Sequence, residues 1–365
     1  MDEVSRFYNV QDDPAGTHLA LRWKGRVRYT VPREGAGQRA CWKVFRPGAL
    51  GIPLQAMTCL PRLLGSTNCT EGPQIALMRD AIGEDAGLSC CRAGAPGPWS
   101  KETILFLEKK TAKPLYLVKA GGNAAVNSLL QNEANWLRKL GEQPSLSDHV
   151  PELVAHHPGD DFCFIAQRAL SGDFDFRLGK PQVGLLRKLH EFSSQTMRYE
   201  DSKLYRTLNS RVSGLAGRLT EEWSSRIEKA MQRIQESFAA APIPFVAAHN
   251  DFTPWNIRTE RGVAKVFDWE YADDEQLPLF DPLHFVLAPM ALRSESVGKI
   301  NRKMDETLQL CRQWFGQERC YKPETQALTY FVNLCTLYLW TVQGTYDSAP
   351  VLDTYARIID SLRPL

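Results

Sequence analysis

Residues 249–270 of the chain are HNDFTPWNIRTERGVAKVFDWE. An apolar run precedes each of two acidic residues here, Asp251 and Asp268, and Asn256 lies five residues after the first of them. We expect the two apolar runs to be strands that pair as a hairpin through the turn at residues 259–262. That pairing would bring Asp251, Asn256 and Asp268 together at one end of the hairpin.

The side chains gathered at this end favour metal-assisted chemistry on phosphate. Mg²⁺ prefers hard oxygen ligands, so one Asn and one Asp, together with phosphate oxygens, suffice to hold it. Asp251 then remains free to accept a proton from an attacking hydroxyl. An isolated HxDxxxxN pattern, or an isolated Asp after a strand, is more often part of a turn or a cap. The prediction of a phosphate site therefore depends on the other motifs in the chain.

Upstream, residues 86–120 contain three strand-like runs, which predict an antiparallel meander with a Gly- and Pro-rich first connection at residues 93–100. Residues 124–140 then have the apolar periodicity of an amphipathic helix. Glu133 lies on the apolar face of that helix, where an unpaired buried carboxylate would cost several kcal/mol, to order of magnitude. A carboxylate in that position therefore needs a partner, and Lys119 lies fourteen residues earlier at the end of the third strand.

The remaining segments complete an α+β pattern. Another strand pair is expected in residues 150–166, and residues 181–240 and 279–365 are mostly helical by periodicity. We therefore predict a two-lobed protein with three regions. These are an N-terminal extension of uncertain role (residues 1–82), a β-rich lobe (83–170) and a larger, mainly helical lobe (171–365) that contains the catalytic hairpin.

The order of these features is a Gly-rich loop, a strand Lys, a helix Glu, the pattern HxDxxxxN and a strand Asp, which is the order of the kinase signatures. On these residues the chain resembles the aminoglycoside phosphotransferase and choline kinase superfamily, the small-molecule branch of the protein-kinase-like fold. The resemblance spans about residues 85–345. It implies a bilobal kinase-like fold and an ATP- and Mg²⁺-dependent transfer of the γ-phosphate to a hydroxyl group.

The resemblance also implies roles for the residues around the hairpin. Asp251 would be the catalytic base, with His249 supporting its loop. Asn256 and Asp268 would hold Mg²⁺. Asp281 resembles the downstream acidic residue that braces the site in this family.

The nucleotide site implied by the resemblance lies earlier in the chain. Lys119 would contact the α- and β-phosphates and pair with Glu133. The other nucleotide-binding candidates belong to the phosphate-covering loop at residues 93–100 and to a hinge at 167–170 that would offer backbone groups to adenine. They are Gly94, Gly97, Ser100, Gln167 and Ala169. His190 resembles the helix-borne His of many members, and we expect it to be a packing residue.

Several features depart from the family pattern. Asn250 stands where many relatives have Gly, and Trp255 replaces a common small residue. The loop at 93–100 lacks a clean GxGxxG, so ATP is chosen over GTP only by default. Asp281 follows Asp268 by thirteen residues, which leaves no room for a protein-kinase activation segment and favours a small acceptor.

The candidate acceptors are sugars, amino alcohols and aminoglycosides. The acidic stretch at residues 273–275 could bind a cation, or it could be a solvated loop. Trp255 and Trp269 could stack on an acceptor or pack in the core. Two alternatives remain: a kinase-fold enzyme acting on a protein or a lipid-linked glycan, and a non-catalytic nucleotide-binding scaffold.

Composition and charge bear on the possible partners, the location of the protein and the state of its cysteines. The 365 residues have a formal net charge of +2, which gives no reason to expect a nucleic acid partner. No signal peptide and no membrane span is predicted, so we expect a cytoplasmic protein. The nine cysteines are odd in number and form no CxxC pair, which favours free thiols. The oligomeric state cannot be predicted from the sequence.

Overall fold

A single antiparallel sheet of nine strands forms the framework of the first of two units, Met1–Ser171 and Gly172–Leu365, into which the chain divides. The computed structural model describes residues 6–10, 15–23, 25–33, 35–45, 67–94, 97, 99–342 and 349–362. Both units combine helices with strands, so the α+β prediction is confirmed.

The strands of the first unit follow one another in the spatial order β1-β4-β2-β3-β5-β6-β7-β9-β8. Their bounds are β1 Tyr8–Asn9, β2 His18–Trp23, β3 Arg26–Pro32, β4 Thr67–Glu71, β5 Ala86–Arg92, β6 Glu102–Glu108, β7 Pro114–Gly121, β8 Leu153–His157 and β9 Cys163–Arg168. The predicted meander is β5, β6 and β7, and it lies inside this larger sheet.

The N-terminal region is continuous with that sheet. Strand β3 pairs with β5 in antiparallel register, with Thr30 opposite Cys91. Two buried side chains of the region also bond to the meander: the Tyr8 hydroxyl lies 2.6 Å from the Ser89 hydroxyl, and the His18 ring lies 2.8 Å from the Ser89 carbonyl oxygen. Residues 6–10 and 15–33 therefore share a core with the segment that carries the candidate nucleotide site.

In the described part of the first unit, three helices pack on the sheet: α1 Gly35–Phe45, α2 Pro73–Ile82 and α3 Ala124–Gly141. The predicted amphipathic helix is α3. It begins where the Asn123 side chain accepts a hydrogen bond from the Val126 N–H at 2.9 Å, and it buries Val126, Leu130 and Leu137. This apolar stripe positions Glu133, which is buried on the same face.

A disulfide joins Cys41 in α1 to Cys90 in β5, with their Cα atoms 6.5 Å apart. The prediction of free thiols is wrong for this pair, because 49 residues of chain separate the two cysteines and only the fold brings them together. Successive residues of a strand face opposite sides, so Cys91 points into a different core cluster. Cys59 lies outside the described residues. The free, buried cysteines are Cys69, Cys91, Cys163, Cys311, Cys320 and Cys335.

Two three-stranded sheets lie in the second unit, with the orders β10-β13-β14 and β11-β12-β15. Their bounds are β10 Asp173–Phe174, β11 Ser194–Met197, β12 Ile243–Ala248, β13 Ile257–Glu260, β14 Val263–Val266 and β15 Asp273–Gln276.

The hairpin differs from the one that the sequence predicts. Strand β14, which precedes Asp268, pairs with β13 through a two-residue turn at Arg261 and Gly262, both with positive φ. Strand β12, which precedes Asp251, pairs instead with β11 and β15. The predicted turn at residues 259–262 contains the observed turn. A two-residue turn pairs the strands that directly flank it, and here these strands are β13 and β14. The predicted pairing of β12 with β14 is therefore wrong.

Most of the second unit is helical, as predicted. The helices are α4 Lys180–Phe192, α5 Lys203–Leu215, α6 Glu221–Phe238, α7 Phe280–Leu292, α8 Val297–Arg319, α9 Pro323–Val342 and α10 Ala349–Ser361. Helix α7 is buried along most of its length and carries Asp281 and His284 into the core. Within the described residues, no helix combines the length and apolar character that crossing a bilayer requires.

Candidate active site

Lys119 and Glu133 form a buried ion pair in the first unit. The Lys119 ammonium on β7 donates to both carboxylate oxygens of Glu133 on α3, each at 2.6 Å. The two residues are 5% and 0% exposed, so this pairing lies away from water and each charge helps to compensate the other. The predicted pairing is confirmed, and it fixes the lysine at the surface of the sheet that α3 covers.

The loop between β5 and β6 contains the predicted phosphate-covering residues. A Cβ at Gly94 would lie 2.4 Å from the Lys101 carbonyl oxygen, so only glycine fits there. Gly97 has φ 151°, and its carbonyl oxygen accepts the Ser100 N–H at 3.0 Å. Residues 95, 96 and 98 lie outside the described residues. The close backbone contact at Gly94 and the positive φ of Gly97 account for both glycines. Contact between this loop and phosphate remains a prediction.

The predicted hinge follows β9. Gln167 lies two residues after Ile165, which is paired with Lys119, so its side chain is on the same face of the sheet as the lysine. Gln167 is buried, and its amide oxygen has no hydrogen-bond partner within the described residues. The Ala169 N–H donates to the Leu115 carbonyl oxygen at 2.9 Å and is thus already occupied. Of the two candidates, Gln167 is the one with an unused polar atom.

In the second unit, His249 connects the loop after β12 to the end of β14. Its Nδ1 accepts the Asp251 N–H at 3.2 Å, and its Nε2–H donates to the Phe267 carbonyl oxygen at 3.0 Å. These partners assign the tautomer that carries its proton on Nε2. The imidazole thereby holds the backbone of Asp251 close to the residue that precedes Asp268, which is the supporting role predicted for it.

Asp281 anchors the same loop from α7. One carboxylate oxygen accepts the His249 N–H at 2.7 Å, and the other accepts the Asn250 N–H at 2.9 Å. Burial raises the pKa of Asp281, while the neighbouring His249 and the two N–H donors act in the opposite direction. Asn250 has φ 64°, a conformation that glycine and asparagine tolerate best. This backbone requirement accounts for an asparagine where many relatives have glycine.

Asp251 is held by two side chains and stays accessible. Its Oδ2 accepts the Asn256 amide N–H at 2.8 Å, and its Oδ1 lies 3.2 Å from His284 Nε2. The Asp251 side chain is 32% exposed. Because the Asn256 nitrogen also donates to the Asp251 carbonyl oxygen at 3.0 Å, the Asn256 oxygen is left for another partner.

His284 was not predicted from the sequence. It lies one helical turn after Asp281 on α7, and its Nδ1 lies 3.1 Å from the Tyr330 hydroxyl. Tyr330, His284 and Asp251 thus form a hydrogen-bonded series that ends on a carboxylate oxygen. The available signal was a polar residue at i+3 from Asp281 within an otherwise apolar helix.

Asp268 lies two residues after β14 with φ 74° and ψ 50°, a left-handed conformation that turns the chain sharply. Two residues later, the buried Glu270 places a carboxylate oxygen within 4.8 Å of one from Asp268. Sequence reasoning missed Glu270. Burial, together with the carboxylates of Asp268 and Asp251, raises the pKa of Tyr271 to about 12, so its phenol keeps its proton. Two carboxylates and the nearby Asn256 amide oxygen are a suitable oxygen donor set for Mg²⁺.

Other candidates have structural roles. The acidic stretch at residues 273–275 lies within β15, where the Lys203 ammonium bonds to Asp273 at 2.7 Å and the Lys203 N–H donates to Glu275 at 2.6 Å. Trp269 is buried against His249, with ring centroids 4.7 Å apart. Trp255 is partly exposed and could contact an acceptor. His190 packs on Phe315, and burial lowers its pKa to about 3.

Residues 96–281, just over half of the chain, match the sequence profile of the phosphotransferase enzyme family. The chain belongs to this family. Membership confirms the prediction of a phosphotransferase of the kinase type with an alcohol group as acceptor. No curated protein sequence matches this phosphotransferase.

Solved structures show the fold. A thermostable mutant of the aminoglycoside phosphotransferase APH(4)-Ia, in ternary complex with ADP and hygromycin B, has a TM-score of 0.53 at 10% identity, covering 78% of this chain and 97% of its own. A choline/ethanolamine kinase family protein from Mesorhizobium loti has a TM-score of 0.51 at 18% identity, covering 71% and 84% respectively. The predicted kinase-like fold is confirmed.

Proposed function

We propose that this phosphotransferase moves the γ-phosphate of ATP to a hydroxyl group of a small molecule, with Asp251 as the catalytic base. One observation carries the proposal. The carboxylate of Asp251 is oriented by Asn256 and His284, and about a third of the side chain is open to solvent. A base must be both fixed in place and accessible to the hydroxyl that it deprotonates.

The proposed step is a direct displacement. The acceptor hydroxyl donates its proton to the Asp251 carboxylate while the acceptor oxygen forms a bond to the γ-phosphorus. The bond between that phosphorus and the β,γ-bridging oxygen breaks, and ADP leaves with the bonding electrons. Positioning and charge neutralisation supply most of the rate enhancement in such transfers.

Nucleotide binding is assigned to the first unit. Glu133 holds the Lys119 ammonium in place, and this buried charge would contact the α- and β-phosphates. The loop that contains Gly94, Gly97 and Ser100 would cover the phosphates, and the amide oxygen of Gln167 would accept a hydrogen bond from the adenine amino group.

Mg²⁺ would be held by Asn256 and Asp268, with Glu270 as a further carboxylate. When bound, the ion neutralises charge on the phosphate oxygens. We expect Asp268→Asn to remove the Mg²⁺-dependent increase in affinity for a non-hydrolysable ATP analogue, because the retained carbonyl oxygen lacks the negative charge. Calorimetric titrations with and without Mg²⁺ measure this difference. Asp305→Asn, on an exposed face of α8, should keep it. Equal Mg²⁺ dependence in Asp268→Asn and wild type would contradict the assignment.

His284 is proposed as a positioning residue for Asp251. We expect His284→Ala to lower kcat about tenfold with little change in KM, because a hydrogen bond to the ionised base is lost. His284→Gln, which retains an N–H donor, should restore part of the activity. An unchanged kcat in His284→Ala, or a loss of kcat that His284→Gln does not restore, would indicate a purely structural residue.

The test of the function itself is an acceptor panel. Sugars, amino alcohols, aminoglycosides and nucleosides are each incubated with ATP, Mg²⁺ and the full chain, and phosphorylated products are detected by mass spectrometry. We expect product with at least one acceptor class, and none with Asp251→Asn. If no acceptor gives turnover above the Asp251→Asn level, the chain acts as a nucleotide-binding scaffold and the proposal is wrong.

A cytoplasmic location remains a prediction.

A further inference from the structure

A cavity of about 570 Å³ lies in the second unit, bordered by α7, α8 and residues 176–178. This volume is within the range of small-molecule sites, about 300–1,000 Å³. Its apolar lining includes Phe285, Pro289, Met290 and Leu310. Phe176, at the border of the cavity, is 70% exposed.

The cavity adjoins the loop that carries Asp251. Pro254 lines it and follows Asp251 by three residues, a distance of at most about 11 Å between Cα atoms. Phe285, which also lines it, is the neighbour of His284, and its ring packs against Phe252 at a centroid distance of 5.9 Å. A ligand in this cavity thus lies within the length of a small molecule from the proposed base.

The charged residues around the cavity are mostly basic. Its two carboxylates each have a lysine partner: Lys299 bonds to Glu295 and Lys303 to Glu306, both at 2.9 Å. The five basic residues of the lining are Arg177, Arg293, Lys299, Arg302 and Lys303. Five cations and two carboxylates leave a net charge of +3, which exceeds the +2 of the whole chain.

Two of the arginines have unused binding capacity. Within the part of the chain that the structure describes, neither Arg177 nor Arg302 forms a side-chain ion pair. The guanidinium group offers paired N–H donors that match the oxygens of a phosphate or a carboxylate. The ion pairs of Lys299 and Lys303 leave those two lysines less able to bind a ligand anion.

We propose that this cavity binds the anionic group of the acceptor, so that the substrate class is a hydroxylated small molecule carrying a phosphate or a carboxylate, such as a sugar phosphate or a sugar acid. This inference rests on the proposed function. Arg177 and Arg302 bind the anion, and the apolar lining packs against the carbon skeleton. A hydroxyl group of the same molecule reaches Asp251. A polycationic aminoglycoside would be repelled by the net charge of +3.

A binding experiment tests the cavity independently of catalysis. The full chain is saturated with Mg²⁺ and a non-hydrolysable ATP analogue, so that the nucleotide site is filled, and is titrated with inorganic phosphate at low ionic strength. We expect saturable binding that is about tenfold weaker in Arg177→Gln and in Arg302→Gln. The matched control is Arg312→Gln, also on α8, whose side chain pairs with Glu324 at 3.1 Å outside the cavity. It should bind phosphate as the wild type does.

Specific results of the titration and of the turnover assay would contradict the proposal. Absence of saturable phosphate binding, or equal affinity in wild type, Arg177→Gln and Arg302→Gln, overturns the inference. Turnover is then compared among neutral sugars, sugar phosphates, sugar acids and aminoglycosides, which also separates phosphate from carboxylate. Turnover confined to neutral or cationic acceptors overturns the inference and leaves the proposed function intact. If no class gives turnover above the Asp251→Asn level, the proposed function fails, and the phosphate titration still decides whether the cavity binds anions.

Discussion

Replacing Asp251 with Asn is expected to lower kcat by about 10²- to 10⁴-fold, the usual contribution of a general base, with little effect on nucleotide affinity. The amide keeps the shape of the carboxylate but cannot accept the proton of the acceptor hydroxyl. Asn256 can still donate to the amide oxygen, and His284 can accept from the amide nitrogen in its other tautomer, so the loop should keep its conformation. Product formation in a single turnover measures the loss, and titration of a non-hydrolysable ATP analogue measures nucleotide affinity.

The matched control is Asp305→Asn, which removes one exposed carboxylate outside the loop and should leave kcat unchanged. Fluorescence-monitored unfolding of both variants should give similar midpoints, since Asp251 is partly exposed and its replacement is isosteric. If Asp251→Asn retained more than about a tenth of the wild-type kcat, a base would not be limiting and the assignment of Asp251 would be wrong.

Breaking the buried pair between Lys119 and Glu133 is expected to reduce both stability and nucleotide binding. Glu133→Ala removes the carboxylate that bonds to a buried ammonium, and breaking a buried pair in this way typically costs about 3–5 kcal/mol in the free energy of unfolding. The double variant Lys119→Met with Glu133→Leu removes both charges and should recover most of that stability. It should still fail to bind the ATP analogue tightly, because the cation for the phosphates is gone. Urea unfolding and calorimetric titration measure the two effects separately.

An exposed pair in the same unit provides the control. Arg168 and Glu152 lie 3.4 Å apart with side chains 47% and 67% exposed, so Glu152→Ala should cost less than about 1 kcal/mol. Nucleotide affinity should not change in this variant. Wild-type affinity for the ATP analogue in the double variant at Lys119 and Glu133 would show that the pair is structural and does not bind phosphate.

The parts of the site that sequence reasoning found are those in which chemistry and local spacing coincide. Asp251 and Asn256 lie in one short loop, where the Asn side chain reaches back to both the carboxylate and the backbone of Asp251. Lys119 and Glu133 belong to adjacent elements, and a charged residue on an apolar helix face indicates a partner nearby. The need for that partner follows from helix periodicity and the cost of burying charge, and the resemblance to the family implied that it is Lys119.

The parts that it missed depend on contacts between distant segments. His284 reaches Asp251 only because α7 is buried beneath the loop, and Cys41 meets Cys90 only because α1 packs on the sheet. The hairpin prediction was wrong because periodicity identifies strands but does not choose their partners. The place of the N-terminal strands beside β5 became visible only in the sheet.

The amino-acid sequence by itself determined the α+β class, the family and the chemical groups of the proposed catalytic loop, because these follow from residue types at short, regular separations. Only the tertiary structure decided which side chains orient Asp251, where Glu270 lies and how positively charged the neighbouring cavity is. Those properties arise when residues far apart in the chain are brought within hydrogen-bonding or Coulombic range, and no local pattern records such distances.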